Sequence, residues 1–170
     1  MTKADPAELL MRPYSLIDRR CALLATGRAQ PNLMTVSWGG FGTIWNRPVT
    51  TVYVRPTRYS HTLISAYPEF TLNFLPEIRR AALDYCGTYS GRTVDKWKGA
   101  GLQPERSECV AVPRVAGSDL AVECRVIASF VFDPSRIIEK SIEELYPGHD
   151  YHTAFIGEVL AVWKSELFTP

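Results

Sequence analysis

Apolar residues along this chain fall into short runs bounded by Gly, Pro or Asn, a pattern of strands rather than of long helices. Cys21-Ala22-Leu23-Leu24-Ala25-Thr26 reads as a buried strand stopped by Gly27. Leu33 to Trp38 reads as a second strand, stopped by Gly39-Gly40, Val49 to Val54 as a third, and Phe70-Thr71-Leu72-Asn73-Phe74-Leu75 as a fourth. From Ala121 to Phe132, Val122, Cys124, Val126, Ala128, Phe130 and Phe132 alternate with Glu123, Arg125 and Ser129; this predicts a long strand with one buried face, ended by Asp133-Pro134. Ala154 to Lys164 gives a last long strand. Helical spacing is confined to short stretches. These are Leu63, Ile64 and Tyr67 after Ser60; Ile78, Ala81, Ala82 and Tyr85 behind Pro76, with Gly87 as the stop; Val94 to Lys98; and Ile137 to Leu145, halted by Pro147-Gly148. Residues 1–12 read as a helical or loose arm, and residues 88–118 are loop-rich. No internal repeat or domain linker is visible. Many short strands with few helices predict a mainly β fold, a small antiparallel barrel rather than a βαβ sheet, in a single domain over residues 1–170.

Composition adds exclusions. Hydrophobic residues make up 46% of the chain, ordinary for a globular protein. The formal net charge is +1, so no general attraction to nucleic acid or to an anionic membrane is expected, and basic clusters are local sites or ordinary surface. No apolar run is long enough to span a bilayer. Met1 to Arg12 carries acids and lacks the basic-then-apolar order of a signal peptide, which points to the cytoplasm. Cys21, Cys86, Cys109 and Cys124 are widely spaced with no CxxC pair, so reduced and mostly buried thiols are expected.

The residues that could carry chemistry gather where these elements meet. Arg55-Pro56-Thr57-Arg58-Tyr59-Ser60 lies between the third strand and a short helix. Ser60 is a good N-cap type, and a helix start offers unpaired N–H groups and partial positive charge. With the guanidiniums of Arg55 and Arg58, this corner suits a phosphate dianion. His61, on the first turn, is either exposed or within reach of the same group. In Asn32 to Gly40, alternation puts Leu33, Thr35 and Ser37 on one side and Met34, Val36 and Trp38 on the other. Hydroxyls spaced by two offer donors to a ligand lying along the strand, and Gly39-Gly40 allows close backbone approach. An edge strand with one solvent face would carry the same residues. Asn73 sits in an apolar run, and if buried its amide must find partners, either on a neighbouring strand or on the polar edge of a ring. Ser90-Gly91-Arg92, followed by Asp95 and Lys96, either closes over an anion or forms a polar surface loop. His149, Asp150 and His152 match no standard zinc spacing, and no metal is expected. There is no Ser–His–Asp or Cys–His order, no pair of carboxylates, no GxGxxG and no Walker loop. An enzyme built from these residues would take its chemistry from a bound cofactor.

Taken together, these segments resemble the flavin reductase-like family, and most closely its flavoredoxin-type branch. Asn32-Leu33-Met34-Thr35-Val36-Ser37-Trp38 resembles its N-x-M-T-x-S-W strand, and Arg55-Pro56-Thr57-Arg58-Tyr59-Ser60 its R-P-x-R-Y-[ST] turn. Phe70 to Leu75 is similar to F-x-x-N-x-L, Cys86 to Trp97 to C-G-x-x-S-G-R-x-x-D-K-[FW], and Ile156-Gly157-Glu158-Val159 to a late I-G-x-V strand. The resemblance runs from about Leu23 to Val162. It implies an FMN-binding split β-barrel, a Greek-key antiparallel fold, working as a homodimer with FMN near the interface. It also implies that Asn32, Met34, Thr35, Ser37 and Trp38 line the isoalloxazine ring and that Arg55, Arg58, Tyr59 and Ser60 hold the phosphate. Asn73 would sit near the ring or ribityl chain, while Ser90, Gly91, Arg92 and Lys96 would close the site. The implied activity is that of an FMN-dependent oxidoreductase. Electrons would pass from NADH or NADPH to a flavin, protein or small-molecule acceptor, with no acid or base required from a side chain. The alternative is an FMN electron carrier or flavin-binding protein without NAD(P)H turnover.

Overall fold

A computed structural model describes residues 1–168. The main sheet contains β1 (Thr2–Ala4), β2 (Ala22–Thr26), β3 (Asn32–Val36), β4 (Gly39–Ile44), β5 (Arg47–Val54), β6 (Glu69–Phe74), β9 (Leu120–Val131) and β10 (Thr153–Lys164). A small ribbon joins β7 (Pro104–Glu105) to β8 (Arg114–Val115). Among the described residues there are three short α-helices, α1 (Tyr59–Ala66), α2 (Arg80–Thr88) and α3 (Lys96–Gly99), with a π-helical turn at Ser15–Arg20 and a few 3-10 turns. The sheet order is β3-β2-β6-β9-β10-β5-β4, and every neighbouring pair is antiparallel. β1 pairs with the far end of β10, Thr2 facing Lys164 and Ala4 facing Val162. The expected fold class is the one found: mainly antiparallel β with few helices.

β3 and β4 are consecutive in the chain but stand at opposite ends of this order. Only Ser37 and Trp38 separate them, a span of at most about 11 Å when fully extended. The sheet must therefore roll until its two edges approach. Among the described residues no ladder joins β3 to β4, so the barrel is split there.

β2 explains why its sequence is apolar throughout: both of its faces are covered. Ala22 and Leu24 point into the rolled sheet with Val36, Val54, Phe70, Leu72 and Val122. Leu23 and Ala25 point outward to a second core, where Leu33, Ala82, Leu83, Cys86 and Val112 pack. α2 covers this outer face. No helix among the described residues is long and apolar enough to cross a membrane. All four cysteines are free thiols, with Cys109 exposed and the other three buried.

Several local expectations are corrected. The N-terminal arm, read as helical or loose, holds a strand followed by one 3-10 turn (Pro6–Glu8), because β1 finds the part of the β10 edge that β5 leaves unpaired. Gly39-Gly40 opens β4 instead of ending the preceding element. Gly87 lies inside α2, which continues to Thr88. Residues 137–145 form no α-helix; short 3-10 turns occupy Pro134–Arg136 and Lys140–Leu145. Glu123, expected on a solvent face, is fully buried. Its carboxylate accepts from the backbone N–H groups of Glu108 and Cys109 and from Trp163 Nε1, with Arg114 Nε 3.4 Å away. The loop at Glu108 and Cys109 and the neighbouring strand β10, through Trp163, supply these donors, which strand alternation cannot reveal. Asn73 is likewise a core amide. Its Nδ2 donates to the Leu23 carbonyl and to Thr71 Oγ1, and its Oδ1 accepts from the Val115 N–H at 2.9 Å.

Two stability predictions follow from this packing. A Cβ at Gly39 would lie 2.5 Å from the Thr51 carbonyl oxygen, whereas one at Gly40 would meet nothing within 4 Å. Gly39→Ala should cost about 1–3 kcal/mol by overpacking while Gly40→Ala stays close to neutral, as read from urea unfolding of the two variants. Asn73→Ala leaves the buried Val115 N–H without its acceptor. That variant should lose about 2 kcal/mol in the same experiment, and a loss below a few tenths would show that the amide does not pin β8.

Candidate cofactor pocket

The split in the barrel borders a cavity of about 330 Å³. Its lining comes from β3 and the crossing behind it, the end of β5 with the turn into α1, the end of α2 with the loop behind it, the start of α3, and His152 just before β10. Twelve residues expected at the site line it: Asn32, Met34, Thr35, Ser37, Trp38, Arg55, Arg58, Tyr59, Ser60, Ser90, Gly91 and Lys96.

The corner before α1 is built by the backbone. The Arg58 N–H donates to the Arg55 carbonyl at 3.0 Å, and Arg58 is extended (φ −80°, ψ 140°) before the helix begins. Arg58, not Ser60, therefore holds the capping position. Ser60 is already in the first turn, and its buried Oγ accepts from Asn32 Nδ2 at 2.9 Å. The Tyr59 and Ser60 N–H groups have no backbone acceptor among the described residues. Arg58 lines the cavity, and its guanidinium makes no hydrogen bond or ion pair with any described residue. Arg55 differs. Its Nη1 donates to Asp150 Oδ1 at 2.8 Å, its Nη2 to the Leu145 carbonyl at 2.7 Å, and its guanidinium carbon lies 4.9 Å from the Tyr146 ring centre.

On the opposite wall, Lys96 is buried and its Nζ donates to the Cys86 carbonyl at 2.7 Å. Burial lowers the Lys96 pKa, and Arg58 acts in the same direction. Burial also pushes the Cys86 thiol up to about 11, so it stays protonated at neutral pH. Gly91 fits close against Asn32 and Tyr59: a Cβ there would collide with the Asn32 side-chain amide. Thr35 Oγ1 donates to the Leu83 carbonyl and so is already engaged with α2. Both faces of β3 contribute to the cavity, which its place at the sheet edge allows.

Two expected residues lie elsewhere. Asn73 is in the core, as described, and is not part of the lining. Arg92 is outside the cavity, 5.1 Å over the Tyr59 ring, donating to the Thr57 carbonyl and Thr62 Oγ1. It ties the loop to α1 because its long side chain crosses the aromatic face. His61 also turns away: its Nε2 bonds Thr153 Oγ1 at 2.9 Å.

Sequence reasoning missed Tyr53, Thr57, Tyr89 and His152, all of which line the cavity. Tyr53 lies two residues before Arg55 on an extended chain, and this same-face spacing was a usable signal. In the sequence His152 stands out only beside His149 and Asp150, as a metal ligand would. Its Nδ1 shares a hydrogen bond with the Tyr146 hydroxyl at 2.8 Å, and its ring centre is 5.0 Å from that of Trp38. Burial, reinforced by Arg55, pushes its pKa down to about 4, so the imidazole is neutral at pH 7. Among the described residues no group of three or more His, Cys, Asp or Glu side chains is placed to hold a metal ion.

Known proteins share this fold. The flavoredoxin of Desulfovibrio vulgaris (Miyazaki F) superposes with a TM-score of 0.69 at 27% identity, over 98% of this chain and 78% of that one. An FMN-binding protein from Thermus thermophilus, solved with bound p-hydroxybenzaldehyde, shares the fold at a TM-score of 0.68 and 24% identity, over 86% and 71% of the two chains. The NADH:FAD oxidoreductase SgcE6 of Streptomyces globisporus C-1027 shares it at a TM-score of 0.64 and 20% identity, over 85% and 75%. The family described as flavin reductase like domain matches residues 14–169. With its rolled antiparallel sheet split beside a cationic cavity, this chain belongs to the flavin reductase-like family.

Proposed function

We propose that the protein binds FMN in this cavity and acts as an oxidoreductase, taking electrons from NADH or NADPH and passing them to a flavin, a protein or a small organic acceptor. The observation that carries this reading is Arg58, a guanidinium without a protein partner beside the open N–H groups of α1. A phosphate monoester complements both at once. The loop at Gly91 closes the same cavity, packed so near Asn32 and Tyr59 that there is no room for a Cβ.

Arg58, Tyr59 and Ser60 would hold the phosphate, with Lys96 adding positive charge nearby. Asn32, Met34 and Ser37 would meet the ring system along β3, and Trp38 and Tyr53 would restrict water at its edge. Thr35 and Gly91 would shape the wall. Bound flavin supplies the hydride-accepting and electron-passing chemistry. The side chains bind, orient and exclude water, and none need act as acid or base. A homodimer with the site near its interface is part of this proposal. It is supported by the exposed apolar side chains Phe130, Val131 and Ile138, which a second copy would cover. A cytoplasmic location is supported by four unpaired thiols. The likeness to flavoredoxin favours a second reading, an FMN electron carrier with no NAD(P)H turnover.

Fluorescence titration should find FMN binding weakened by about 2 kcal/mol in Arg58→Ala, as for a lost charge-assisted contact. Unchanged affinity would remove Arg58 from the site. Stopped-flow mixing of the FMN-loaded protein with NADH and NADPH separates the two readings. Loss of the flavin absorbance band is expected for the oxidoreductase, and a constant band would leave the carrier.

A further inference from the structure

The two arginines of the corner are not equivalent. Arg58 is free among the described residues, whereas both terminal nitrogens of Arg55 are engaged and its plane covers Tyr146. All three of these partners, Asp150, Leu145 and Tyr146, belong to the stretch that enters β10 at Thr153. Within that stretch Tyr146 bonds His152, and His152 faces Trp38 across 5.0 Å. We propose that Arg55 is a positioning residue: it clasps residues 145–152 to the end of β5 and so holds His152 and Trp38 as one fixed wall of the cavity, leaving Arg58 to meet the phosphate.

The stretch between Leu145 and Thr153 has no ladder of its own; the His149 N–H donates to the Tyr146 carbonyl and the Phe132 N–H to the His152 carbonyl, each at 3.0 Å, and side-chain ties add to these few backbone bonds in offsetting the entropy of fixing it. The Arg55–Asp150 pair is about four-fifths buried on each side, 23% and 20% exposed, and keeps more of its strength than a surface pair. Stacking on Tyr146 adds a third tie with a different distance dependence. Tyr146 is itself buried, so anchoring its ring also anchors the hydroxyl that orients His152. The groups facing His152 are Tyr146 and Asp150 from its own segment, Arg55 and Arg58 from the corner, and Trp38 from the crossing between β3 and β4.

The test uses full-length Arg55→Gln and Asp150→Asn. The first measurement needs no ligand: NMR titration of the His152 ring. The wild-type ring should titrate at about 4, and in Arg55→Gln the midpoint should climb toward the ordinary histidine value of about 6.5 as the cation is lost and the segment opens to water. Asp150→Asn is kept for the ligand measurement, because the Asp150 carboxylate itself raises the His152 pKa and its loss opposes the rise expected from opening the segment. The second measurement rests on the FMN reading and compares FMN with riboflavin, which lacks the phosphate. Both variants should weaken the two ligands by the same factor, on the order of tenfold, leaving their ratio unchanged, while Arg58→Ala reduces the ratio. Loss of FMN binding with riboflavin binding intact would make Arg55 a phosphate ligand and overturn the clasp, as would an unmoved His152 midpoint. Should Arg55→Gln fail to fold, Asp150→Asn carries the flavin comparison. Should the wild-type protein bind neither flavin, the FMN reading fails and the His152 titration decides the clasp by itself.

Discussion

The architecture depends on a two-residue crossing. Ser37 and Trp38 carry the chain from one edge of the sheet to the other, and this short reach obliges the sheet to roll. The close approach of Gly39 to the Thr51 carbonyl fixes where the new edge docks. The rolled sheet gives Phe70, Leu72 and Val122 an interior to fill, and the remaining split lies beside the cavity. Trp38 stands at that split, 43% exposed.

The charges around the cavity are unevenly committed, and that imbalance gives the site its chemistry. Arg55 is neutralised by Asp150, and His152 stays uncharged because it is desolvated beside a cation. Lys96 is desolvated and engaged with a carbonyl. Arg58 is left as the free cation of the wall among the described residues, aligned with an open helix start. A chain with a net charge of +1 can hold an anion in this way without general affinity for polyanions.

Buried polar groups perform a different task on the far side of the sheet. Glu123 gathers the N–H groups of Glu108 and Cys109 together with the Trp163 indole, and Asn73 gathers the Val115 N–H. Each ties part of the loop-rich stretch between residues 104 and 118 to a strand. Those loops thereby become a cover for the outer core around Leu23, Leu33 and Leu83. Removing an acceptor would strand its donors in a dry interior, which is why an amide and a carboxylate persist in strands that otherwise read as apolar.

The central strands, the corner from Arg55 to Ser60 and the family motifs were legible from residues 21 to 164, because each rests on neighbours a few positions apart: alternation, Gly and Pro punctuation, the residue types that open a helix. The missed elements have equally local causes. β1 is three residues long and needs the edge of β10, and the Gly-rich β4 has too few apolar positions to declare a strand. The division of labour between Arg55 and Arg58 was beyond sequence reasoning, since the partner of Arg55 is Asp150, 95 positions away. The same holds for Asn73, whose acceptor role depends on Val115, and for His152, whose neutrality depends on how deeply the rolled sheet buries it. Residue type and spacing determined which groups this protein has and which elements carry them; only the rolling of the sheet decided which of those groups are already partnered and which remain free for a ligand, because partnership is set by distance in space and not along the chain.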